Sequence, residues 1–73
     1  MDLEQQKHSI STIKFALMSL YNKYSVDMQK DTKRALFYEK RRKQIQKDIK
    51  YLDSEALREK FNNFYLPIIK GEV

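Results

Sequence analysis

The sequence holds one concentrated chemical feature, the run Lys40-Arg41-Arg42-Lys43 inside KRALFYEKRRKQIQKDIKYL, residues 33–52. Eight of the fifteen Lys and Arg residues lie in that segment, and residues 31–50 carry eight bases against three acids. The rest of the chain has seven of each, so the whole formal charge of +5 is concentrated here. Lysine and arginine bind phosphates, with counterion release driving association. Arginine adds bidentate contacts to phosphate or guanine, and Phe37 and Tyr38 supply rings on which exposed bases stack. Lys33, Arg34, Lys40, Arg41, Arg42, Lys43, Lys47 and Lys50 therefore form a candidate contact set for nucleic acid or an acidic partner. The competing reading is a solvated helix face. Four consecutive bases spread right round a helix, Glu39 and Asp48 interrupt the neighbourhood, and lysine stripes often serve only solubility.

No other grouping makes a catalytic or metal site. His8 is the single histidine, with Glu4 the only nearby carboxylate in sequence, and reads as a surface residue. Ser9, Ser11, Ser19, Ser25 and Ser54 lack the context of an activated nucleophile. One glycine leaves no phosphate-cradling loop. Without cysteine there is no disulfide or thiolate site, and a lone histidine does not build structural zinc. The sequence points away from an enzyme and gives no reason to expect a cofactor, a metal or a small-molecule substrate.

The elements that must position the basic segment are helical. The chain has one Gly and one Pro and no strand-like alternation. Asp2 with Gln5 suggests a capped start, and Leu3, Ile10, Ile13, Leu17, Leu20 and Tyr24 follow a heptad seam, giving a first helix over about 3–24. Phe15 and Met18 lie off that seam and widen the apolar surface, which predicts a second neighbour for this helix. The connection falls near 24–32, with Ser25 and Asp31 as competing caps.

A second helix covers about 32–52. Tyr38, Ile45, Ile49 and Leu52 share one side, with Lys33, Lys40, Lys43, Lys47 and Lys50 opposite. Arg42 falls on the apolar side, where an unpaired charge is costly; it is expected to meet a carboxylate from another helix or a second subunit. Asp53-Ser54 caps a third helix over 54–66, ended by Pro67, with 67–73 extended. Phe61, Phe64 and Tyr65 either close the core or, with Phe15 and Met18, anchor a partner chain.

The expected fold is all-α, one domain over 1–73: a long antiparallel helical hairpin plus a short third helix. A core this small rarely supplies more than about 3–5 kcal/mol, so completion by dimerisation or by a partner chain is expected. The polar N-terminus lacks signal-peptide character and no apolar run spans a membrane, which suggests an intracellular protein. The functional expectation is a small non-catalytic binding or regulatory protein acting through helix faces, as a homodimer or on a protein partner. The alternative is a nucleic-acid-binding module using the basic helix.

Overall fold

The first helix starts where a hydroxyl satisfies its free amide end. Ser9 Oγ accepts from the Thr12 amide at 3.1 Å, and α1 runs Ile10–Lys30. The computed structural model describes residues 9–71; the expected Asp2 cap, Leu3 and His8 lie outside the described residues. α1 continues past the expected end at residue 24. Ser25 caps nothing, because its hydroxyl donates to the Tyr21 carbonyl at 3.1 Å and is satisfied inside the helix. The polar stretch therefore stays helical through Lys30, and the break falls at Asp31, at the far end of the expected 24–32 connection.

The chain turns at Asp31 (φ −122°, ψ 84°), passes through one 3₁₀ turn, Thr32–Arg34, and enters α2, Ala35–Tyr51. Leu52 is extended. Asp53 then accepts from the Ala56 amide at 2.8 Å and starts α3, Ser54–Lys60, as the sequence indicates.

The C-terminal segment is helical where an extended tail was expected. α3 widens into a π-helical turn, Phe61–Tyr65, and continues as α4, Leu66–Ile69. Pro67 does not end the helix, because it lies in the first turn of α4, where its missing N–H costs little. The π turn has a packing reason. Leu57, Phe61 and Tyr65 recur every four residues, a spacing that drifts round a regular α-helix. A wider turn holds all three against the core, and all three are buried. Gly71, at φ +78°, adopts the left-handed conformation that stops α4, with its amide donating to the Ile68 carbonyl at 3.0 Å.

The described residues are all-helical with no strand. α1 and α2 pack as an antiparallel pair: Tyr21 meets Arg42 and Gln46, while Tyr24, further along α1, stacks on the earlier Tyr38 at 5.9 Å between centroids. The core comprises Ile13, Leu17, Leu20 and Tyr24 from α1, Ile45 from α2, and Leu57, Phe61 and Tyr65. The heptad seam of α1 is therefore its buried face. No helix among the described residues is long and apolar enough to cross a membrane.

Candidate functional site

α2 and the turn before it present their lysines to solvent as the sequence implies. Lys33, Arg34, Lys40, Lys43, Lys47 and Lys50 are exposed, while Arg41 and Arg42 are half-buried. Lys60 pairs with Asp48, and among the described residues no ion pair involves the lysine stripe.

The arginines have distinct roles. Arg34 and Arg41 stand one turn before and one turn after Phe37, and their guanidinium carbons lie 5.5 and 5.0 Å from its ring centroid. Arg41 also lies 5.0 Å from the Phe64 centroid, and the Lys60 ammonium 5.9 Å from the same ring. The result is an alternating ladder, Arg34–Phe37–Arg41–Phe64–Lys60, that crosses from the 3₁₀ turn over α2 to the π turn. Each such contact contributes about 0.5–1 kcal/mol at exposed sites. Phe37 and Phe64 are 43% and 38% exposed, so the ladder lies at the surface.

Within the chain, Arg42 meets no carboxylate of another helix among the described residues. Its Nη2 donates to the Tyr21 hydroxyl at 2.9 Å and its Nη1 contacts the Met28 sulfur at 3.3 Å. Its guanidinium also sits over the Tyr21 ring at 4.6 Å. Tyr21 meets this half-buried arginine with both ring and hydroxyl, while Arg42 Nε is buried with no hydrogen-bond partner among the described residues.

The carboxylate that is buried is Asp48, at 4% exposure, although its sequence position lies beside the solvated stripe. Gln44 Nε2 donates to its Oδ1 at 2.8 Å, Lys60 Nζ lies 3.1 and 3.0 Å from its two oxygens, and the Tyr65 hydroxyl donates to Oδ2. Burial, reinforced by the hydrogen bond to Asp48, pushes the Tyr65 hydroxyl pKa well above its ordinary range. Tyr24 is likewise raised, chiefly by burial, with the Arg41 charge opposing. A tyrosine that holds its proton this firmly is a poor base or nucleophile. A carboxylate occupied by three donors has little capacity left for a substrate. Among the described residues no group of acids and histidines has metal-site geometry.

Of the residues considered as partner anchors, Phe61 and Tyr65 are core, which withdraws them from any accessible surface. Phe64 belongs to the ladder. Phe15 and Met18, expected to meet a second neighbour of the first helix, are exposed. Phe15 borders a groove of about 340 Å³ between α1 and α4, lined by Phe15, Ala16, Ser19, Leu20, Lys23, Ile68 and Ile69. Ile68 and Ile69, expected in an extended tail that either covers the bundle end or meets a partner, form the α4 side of that groove as helix.

Comparison of the chain with protein-family models, curated proteins and solved structures finds no match.

Proposed function

We propose that this chain is a non-catalytic binding protein whose α1–α4 groove accepts an apolar helix flanked by carboxylates on a partner protein. The observation that carries the reading is the groove itself. Its walls are apolar, it is bordered by Phe15 at 76% exposure and by the exposed Ile69, and among the described residues Lys23 is the one charged residue lining it. Two packed helices with an apolar cleft between them suit helix-in-groove recognition. A wall as open as Phe15 would leave much of a small ligand in water, whereas ligand sites bury about 70–90% of what they hold.

Charge selects the partner. A second copy of this chain brings another net +5 and a second Lys23, and like charge disfavours that pairing. An acidic helix places carboxylates near Lys23 and gains from the field of the whole chain. Eight buried apolar side chains among the described residues make a small core, so a partner that binds only the folded form adds stability by mass action.

The test is fluorescence anisotropy with a labelled amphipathic Leu/Glu peptide and its Leu/Lys counterpart. The Leu/Glu peptide is expected to bind and the Leu/Lys peptide to stay free, with binding abolished by Phe15→Glu. Equal failure of both peptides would overturn the reading. A wild-type dimer in sedimentation that Phe15→Glu splits would assign the groove to a second copy instead.

A further inference from the structure

The geometry points to a second binding site, on the 3₁₀ turn and outer face of α2, that takes single-stranded nucleic acid. Lys33, Lys40, Lys43 and Lys47 receive phosphates, and Arg34 stacks on an unpaired base.

Two independent features support this. The first is the set of exposed lysines, which form no ion pair among the described residues. Lys40, Lys43 and Lys47 are three and four residues apart and so share one face of α2. Of the two acids in that neighbourhood, Asp48 is turned inward and held by Lys60 and Tyr65, which leaves Glu39, one turn before Lys43, as the acid beside the lysines. The second feature is the cation–aromatic ladder. Arg34 is its terminal rung, an exposed residue in contact with Phe37 on one side. An exposed guanidinium held at 5.5 Å from the Phe37 centroid is a group on which an unpaired base stacks, as arginine does in single-strand recognition. Stacking of this kind needs unpaired bases, which favours a single strand over a duplex.

The same face fits a membrane poorly. Leu36, Phe37 and Tyr51 are the exposed large apolar residues of α2, and they sit at its two ends with the lysines between them. An interfacial helix needs a continuous apolar face, and the apolar face of α2 is spent in the core.

The experiment uses the full chain and a fluorescein-labelled oligouridylate of about 15 nucleotides, within the range of known single-strand sites. Anisotropy is followed between about 50 and 200 mM salt. Four phosphate contacts predict a slope of log affinity on log salt of about −3. Lys40→Glu with Lys43→Glu and Lys47→Glu abolishes binding. Arg34→Lys keeps the charge but removes the planar group; it weakens the oligonucleotide about tenfold, a loss of one stacked base. A heparin fragment is held by charge alone and keeps its affinity for that variant. Phe15→Glu leaves nucleic-acid binding unchanged, which separates this site from the groove. Absence of binding at the lowest salt, or a slope near zero, overturns the proposal on the wild-type chain without any variant. So does equal weakening of heparin and oligonucleotide by Arg34→Lys, or tighter binding to phosphatidylserine vesicles than to the oligonucleotide.

Discussion

The Tyr65 hydroxyl donates to Asp48 Oδ2, and that bond ties the π-helical turn to the last turn of α2. Both residues are buried, Lys60 and Gln44 complete the carboxylate's partners, and the ladder from Arg41 to Phe64 crosses the same junction. A helix of seven residues such as α3 has little stability alone; here polar and cation–aromatic contacts fix the segment it leads into.

Tyr65→Phe removes one donor from a buried carboxylate while leaving the ring in place. The expected loss is about 1–3 kcal/mol, read as a lowered urea midpoint with an unchanged slope. A change below about 0.5 kcal/mol, the ordinary range for an inert surface site, would show that Gln44 and Lys60 alone satisfy Asp48.

Alkaline pH supplies a separate test. The Tyr65 pKa is raised in the folded state above the ordinary value of 10.0, so the folded form holds its proton where the unfolded form has lost it. The corresponding stability is fully present below about pH 10 and falls as pH rises further. Tyr24, raised in the same direction, contributes to that fall. Tyr65→Phe is expected to flatten it in part; an identical alkaline slope in the variant would contradict the assignment.

Arg41 touches one ring on its own helix and one on the π turn, so Arg41→Ala cuts the ladder at its centre. The two lost contacts predict a cost of about 1–2 kcal/mol. Arg41→Lys should recover part of it, since an ammonium offers charge but no stacking plane. Thermal melts of the two variants make the comparison.

Gly71→Ala tests the helix stop. Among the described residues nothing lies within 4 Å of a Cβ built there, so the cost is conformational, from the φ of +78°. A loss of about 1 kcal/mol is expected from forcing alanine into that region. An unchanged melting temperature would mean that the end of α4 contributes nothing to the cooperative unit.

Much of the helical organisation was legible because periodicity reports burial directly. Ile13, Leu17, Leu20 and Tyr24 formed a seam in sequence and form the α1 side of the core; Asp53 announced α3 by its type and position. Legibility failed wherever a long-range partner or a local alternative bond decided the outcome. Ser25 looked like a cap, but its hydroxyl bonds the Tyr21 carbonyl. Pro67 looked like a terminator, and a π turn before it moved it into the first turn of a new helix. Asp48 read as an acid interrupting the basic face, because its donors Lys60 and Tyr65 lie 12 and 17 residues away. The anchor residues split for the same reason: Phe61 and Tyr65 turned inward, while Phe15 and Met18 stayed outside.

The proposal of an acidic helix in the α1–α4 groove is tested most directly by amide chemical-shift mapping of the full chain titrated with the Leu/Glu peptide. Saturable shifts should concentrate at Phe15, Ala16, Ser19, Leu20, Lys23, Ile68 and Ile69 and vanish in Phe15→Glu. Shifts confined to the lysines of α2, or spread evenly over the chain, would contradict it.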